Sequence, residues 1–138
     1  MDQQEILDAL ARLSLFSDLG RPQLEGVAHT MTEESFPGGQ RILRQGFSGS
    51  GFYVILEGEV SVRVDGSDVA KLGKGDFFGE ISLLLGEPPI ADVVSLGPVH
   101  ALQMAGPDLQ AFLLAYPPVM YRMLQSVSRR LDRANRRS

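Results

Sequence analysis

Phe77-Phe78-Gly79-Glu80-Ile81-Ser82-Leu83-Leu84-Leu85 is the most informative stretch of the chain. Two aromatics and a glycine lead into an apolar turn of helix that starts near Glu80. A glycine at that point lets the backbone approach a ligand closely. The N–H groups of a first helical turn have no intrahelical partner and favour an anion. Glu80 adds a hydrogen-bond acceptor suited to a sugar hydroxyl. Read alone, the same residues also make an ordinary glycine turn feeding a short helix, with Glu80 as a first-turn acid.

On either side of this stretch the pattern is one of short strands. Ile42-Leu43, Phe52 to Leu56 and Val60/Val62/Val64 are strand signals upstream. In the third, Glu59, Ser61 and Arg63 alternate with the valines, which predicts one wet face. Asp65-Gly66 is a hairpin turn signal, and Val69 to Leu72 is the return strand. Downstream, Ile90 to Leu96 and Val99 to Met104 read as two further strands. Of the 15 glycines, 13 lie between Gly38 and Gly106. Short, evenly spaced, glycine-punctuated strands predict a jelly-roll barrel (a double-stranded β-helix) over residues 32–105.

The flanks are helical in pattern. Asp2 with Glu5 is a capping box, followed by Ile6, Leu7, Leu10 and Leu13 at helical spacing. Leu24, Val27, Ala28 and Met31 form a second face after Pro22. Residues 106–138 predict two more helices, parted by Pro117-Pro118. Met120, Leu124, Val127, Leu131 and Ala134 are spaced 4, 3, 4 and 3, a coiled-coil-like seam. The whole predicts one mainly β, α+β domain.

Composition narrows the function. With 43% hydrophobic and 22% charged residues the chain is ordinary globular material. It has no cysteine, hence no disulfide framework and no thiolate chemistry. No apolar run is long enough to span a bilayer, and no secretory signal opens the chain, so a cytoplasmic location is expected. Five arginines against Asp132 give residues 129–138 a charge of +4 and leave the remainder at −8. An acidic body argues against a broad nucleic-acid surface. Two histidines, His29 and His100, do not make a metal site; His100 is expected to be a hydrogen-bonded strand residue and His29 a surface one. Ser48, Ser50 and Ser82 have no His/Asp relay fixed by spacing, and Gly73-Lys74-Gly75 lacks the Ser or Thr of a P-loop. The expectation is a non-enzyme.

Two stretches give the chain a resemblance to the cyclic nucleotide-binding domain family, the sensor module of bacterial catabolite activators and protein kinase A regulatory subunits. One is Ile42 to Gly51 followed by Phe52-Tyr53-Val54-Ile55 and Leu56-Glu57-Gly58. The other is Phe78-Gly79-Glu80-Ile81-Ser82-Leu83, which looks like the start of the family's phosphate-binding cassette and continues to Ser95. The resemblance implies cyclic AMP or cyclic GMP as ligand and no other cofactor. It implies Glu80 on the ribose 2′-hydroxyl, and backbone at Gly79, Ile81 and Ser82 facing the cyclic phosphate. Pro89, Ile90 and Ala91 would close the phosphate end, and Ile42, Val54 and Leu72 would line the base pocket. It further implies a homodimer through Met120, Leu124, Val127 and Leu131 of the last helix. The chain ends in or just beyond that helix, so no DNA-reading domain is expected in it.

One departure matters. The family usually places an arginine, then a small residue, after the cassette helix. Here Pro89 and Ile90 occupy those positions, and no Lys or Arg occurs between Lys74 and Arg122. Losing one partner of a buried charge pair typically costs ~2–5 kcal/mol. That is roughly 30-fold to several thousandfold in affinity. Helix-start amides offset only about 0.3–2 kcal/mol, and Glu87 and Asp92 add negative charge nearby. The expectation is a regulatory sensor that binds cyclic nucleotide weakly or takes an altered ligand. The alternative is a member without ligand that serves as a dimerisation or docking module.

Overall fold

The computed structural model describes residues 1–47 and 51–137. Ser48 and Ser50 lie outside the described residues. The chain forms two compact units, one from residues 1–28 with 111–138 and one from residues 29–110.

The second unit is the β core. Its strands are β1 (Thr32–Phe36), β2 (Arg41–Leu43), β3 (Gly51–Glu57), β4 (Val60–Val64), β5 (Ser67–Leu72), β6 (Phe77–Phe78), β7 (Asp92–Ser95) and β8 (Val99–Ala105). They form two four-stranded antiparallel sheets, ordered β1-β8-β3-β6 and β2-β7-β4-β5. Leu43, Ile55, Val60, Phe78, Val93, Val99 and Ala101 form one buried cluster drawn from both sheets. Phe36, Ile42, Tyr53, Val62 and Leu72 pack against it. Asp65 and Gly66 both have positive φ, 53° and 83°, which matches a two-residue hairpin turn between β4 and β5.

Three expectations need correction in detail. β1 carries Glu33 and Glu34 and has no apolar alternation, so its edge pairing with β8 was invisible as a strand signal. β7 runs from Asp92 to Ser95, shorter than the expected Ile90 to Leu96. The face of β4 expected to be wet is closed at Ser61, which is 4% exposed and donates its hydroxyl to Asp68 Oδ1 at 2.7 Å.

The other unit is helical: α1 (Gln3–Ala11), a short 3-10 helix (Ser14–Phe16), α2 (Arg21–His29) and α5 (Pro117–Arg137). Between α3 (Glu80–Leu85) and α5 in the chain runs α4 (Leu109–Ala115), which spans the boundary between the two units. The capping box of α1 is present, with Glu5 N–H donating to Asp2 Oδ1 at 2.8 Å. Proline at the first position of α5 fits a helix start. Arg122 of α5 donates Nε and Nη2 to the two carboxylate oxygens of Asp18, at 2.8 and 3.0 Å.

That fork holds the Asp18 carboxyl below the ordinary carboxylate range, chiefly through the hydrogen bond from Arg122. A carboxylate depressed in the folded state stabilises it at neutral pH, and the contribution is lost as pH falls through the depressed pKa. Asp18→Asn is therefore expected to be less stable than the parent chain at neutral pH in urea titrations. The difference should close in strong acid; a gap that persists there would mean the contact is not electrostatic.

Candidate functional site

The site is built on residues 77–95, and its first constraint is steric. Gly79 has φ +96° and caps α3. A Cβ there would collide with the carbonyl oxygen of Gly51 and press on the Phe52 Cα. Two backbones cross too closely for any other residue. Just after the crossing, Glu80 and Ser82 are both buried, 3% and 6% exposed. A buried carboxylate is costly outside a polar setting, and the first helical turn is such a setting. Ser82 Oγ lies 3.4 Å from the Gly79 carbonyl oxygen, to which it donates. The Ile81 and Ile90 side chains are exposed, whereas Pro89 and Ala91 are buried. Gly86 ends α3 with φ +68°, and its N–H and that of Glu87 both donate to the Ser82 carbonyl.

The tail of this segment is fixed by its own chain. Gly46 N–H donates to the Pro89 carbonyl at 2.8 Å. Gln45 N–H donates to Asp92 Oδ1 at 2.7 Å. At the far end, Ser95 Oγ accepts from Gln40 N–H at 2.9 Å and donates to the Pro37 carbonyl at 2.6 Å.

Of the side chains expected to line the base pocket, Ile42 and Leu72 meet at the buried cluster between the sheets. Val54 is fully buried, but it is one step out of phase with Tyr53 and Ile55 and so leaves β3 on the opposite face. Tyr53 and Val62 pack against the cluster beside Ile42 and Leu72. Tyr53 stacks on Phe78 with ring centroids 4.9 Å apart and meets Phe36 edge-on at 6.0 Å. Burial, with a smaller contribution from the Glu34 charge, pushes its hydroxyl pKa up. Strand parity was the signal that separates Tyr53 from Val54; Gln45 and Gly46 left no local signal.

Three of the cations in the β core are paired and two are exposed. Arg41 Nε lies 3.7 Å from Asp92 Oδ2. Because Val93 points into the cluster, Asp92 leaves β7 on the opposite face. Arg63 pairs with Asp68 at 2.7 Å and Lys71 with Glu59 at 3.7 Å; Arg44 and Lys74 are exposed. Away from the site, His100 Nε2 is 3.3 Å from Glu33 Oε2, and His29 is exposed in the last turn of α2. No group of metal-ligating residues occurs among the described residues. None of the described helices is long and apolar enough to cross a membrane.

Residues 33–116 match the model of the cyclic nucleotide-binding domain. The type II regulatory subunit of cAMP-dependent protein kinase from Drosophila melanogaster is 34% identical over 128 residues, 90% of this chain and 33% of that one. The chain thus spans about a third of that relative's length. The regulatory subunit of a cAMP-independent protein kinase A from Trypanosoma brucei superposes with a TM-score of 0.80 at 26% identity, over 91% of this chain and 45% of that one. A variant of it has been solved bound to cAMP in the A site (TM-score 0.76, 28% identity, 89% and 46% covered). It carries a glutamate-to-alanine change and, at two neighbouring positions, threonine to arginine and valine to alanine. The corresponding subunit from Trypanosoma cruzi, bound to guanosine, gives a TM-score of 0.76 at 25% identity, over 91% and 46% of the two chains.

The Gly51–Gly79 crossing generates a comparison of two glycines. Both Gly79 and Gly66 have positive φ, but a Cβ at Gly66 meets nothing within 4 Å. Gly66→Ala should therefore cost only the backbone term, about 1–2 kcal/mol. Gly79→Ala should cost clearly more in the same urea titration. Equal losses would show that the crossing imposes no constraint beyond φ.

Proposed function

The chain belongs to the cyclic nucleotide-binding domain family, and from that premise we propose that it is a sensor whose cassette takes the ribose of a purine nucleoside and binds cyclic AMP and cyclic GMP only weakly. The observation that carries this reading is Pro89. It occupies the position where the family usually places its phosphate-gripping arginine, it is buried, and its carbonyl is bonded to Gly46. The candidate replacement Arg41 is engaged with Asp92 on the outward face of β7. The remaining attraction for an anion is the start of α3, and six residues make a weak dipole.

A nucleoside needs no such latch. Glu80 would accept from its ribose hydroxyls, and the Tyr53–Phe78 stack with Ile42, Val62 and Leu72 would face the base. The Trypanosoma structures support this choice. The native chain there is described as cAMP-independent, its Trypanosoma cruzi counterpart holds guanosine, and the variant holding cAMP gained an arginine followed by an alanine. The same arginine-then-small pair is what Pro89-Ile90 replaces. For a response, a cleft of about 370 Å³ lined by Leu83, Leu84, Gly106, Pro107, Leu109 and Gln110 leaves room for α3 to shift against the segment after Pro107. Ligand capture would then act as a population shift of that segment.

A second reading, docking without a ligand, is favoured by the last helix. Met120, Leu124 and Leu131 are 39%, 60% and 61% exposed, leaving an apolar seam uncovered beside half-buried Val127. We propose that a second copy of this helix covers the seam, with Arg129, Arg133 and Arg136 on the side away from it.

Isothermal titration of guanosine, cyclic AMP and cyclic GMP tests the ligand. Guanosine is expected to bind, and the two cyclic nucleotides far more weakly. The paired substitution Pro89→Arg with Ile90→Ala should raise cyclic nucleotide affinity by about 30-fold or more. Low-micromolar cyclic AMP binding by the unsubstituted chain would sink the proposal, and no binding by either form would favour docking. For the seam, analytical ultracentrifugation should find a dimer that Leu124→Arg converts to monomer. A monomer at high concentration before substitution would remove the seam from the account.

A further inference from the structure

We propose that Gln45 is a positioning residue: it holds the tail of the cassette, residues 87–92, in binding geometry and couples it to the tip of the β4–β5 hairpin. The inference rests on the reading of residues 77–95 as the ligand site.

Gln45 stands between two elements that sequence separates widely. Toward the cassette, its own N–H donates to Asp92 Oδ1, and the next residue's N–H donates to the Pro89 carbonyl. Gly46 has φ +80°, a backbone setting that side chains rarely adopt. Toward the hairpin, Gln45 Nε2 donates to Asp65 Oδ1 and Gln45 Oε1 accepts from Asp65 N–H, both at 3.0 Å. Asp65 is the one non-glycine residue with positive φ among those described, so this two-point contact sits on the turn residue that most needs support.

The contact requires one donor and one acceptor at position 45. An amide supplies both. A carboxylate would keep the acceptor, lose the donor and confront the Asp65 charge. Meanwhile residues 87–92 include two prolines without N–H groups and belong to no helix or strand before Asp92. Their order depends on the few bonds that reach them, and two come from Gln45 and Gly46. In a site without an arginine latch, the tail is held by the protein from outside rather than by a cation–phosphate contact from within.

Hydrogen exchange of the full chain, without ligand, tests the coupling directly. Gln45→Glu should lower protection about tenfold at both the 64–68 tip and residues 87–92, leaving β3 and β8 unchanged. Adding Asp65→Asn exchanges the amide and the carboxylate, restores both hydrogen bonds, and should return protection at both places. Guanosine affinity, measured by titration, should fall about tenfold in the single variant and recover in the pair. Loss confined to the tip, or no recovery at 87–92 in the pair, would overturn the proposal and leave Gln45 as a turn cap. If the unsubstituted chain binds neither guanosine nor cyclic AMP, the ligand reading fails while the exchange comparison still decides Gln45.

Discussion

The Gly51 carbonyl oxygen lies where a Cβ on residue 79 would stand. This backbone crossing sets the start of β3 against the start of α3, and much of the site follows from it. It forces glycine at 79 with positive φ, which in turn fixes the direction in which α3 leaves β6. In the six-residue helix that follows, Glu80 and Ser82 are buried while Ile81, Leu84 and Leu85 are exposed. Glu80 is thereby a buried carboxylate, 3% exposed at the first position of α3, not a surface acid. Nothing in this depends on an anionic ligand.

Arg41 pairs with Asp92 on the face of β7 turned away from the cluster between the sheets. The 3.7 Å separation and the half-exposed Arg41 make that pair weak. Arg41 meets one carboxylate oxygen of Asp92, and the other accepts from Gln45 N–H. The cluster between the sheets, by contrast, is aliphatic and aromatic, with Tyr53 stacked on Phe78.

Local patterns in the sequence carried the parts of this structure that local physics decides. The Asp2/Glu5 capping box, the Asp65-Gly66 turn and the Gly79–Leu85 turn-to-helix are each set within a few residues, and each was legible. The barrel strands were legible where apolar residues alternate, and β1 was not, because Glu33 and Glu34 mask an edge strand. Of the three residues the resemblance named for the base pocket, Ile42 and Leu72 pack against the cluster between the sheets, while strand parity turns Val54 to the other face of β3. The Gln45 contacts span 20 and 47 residues, and no local periodicity encodes a pairing at such distance. Ser61 was read as wet for the same reason, since its partner Asp68 lies across a hairpin.

A cassette ordered by its own chain has a thermodynamic consequence. Order already present before binding need not be purchased by the ligand, so even an uncharged occupant can bind usefully. The same order limits the signal. A ligand shifts an equilibrium only by its difference in affinity for the two states, and a tail that is already held offers little difference. Moving a two-state balance from one extreme to the other takes about 5.5 kcal/mol of differential binding, more than a nucleoside without a charged contact readily supplies. A responsive form of this module therefore needs its two states to lie close in energy beforehand. The place to look for that near-balance is the cleft lined by Leu83, Leu84, Gly106, Pro107, Leu109 and Gln110, which leaves open space beside α3.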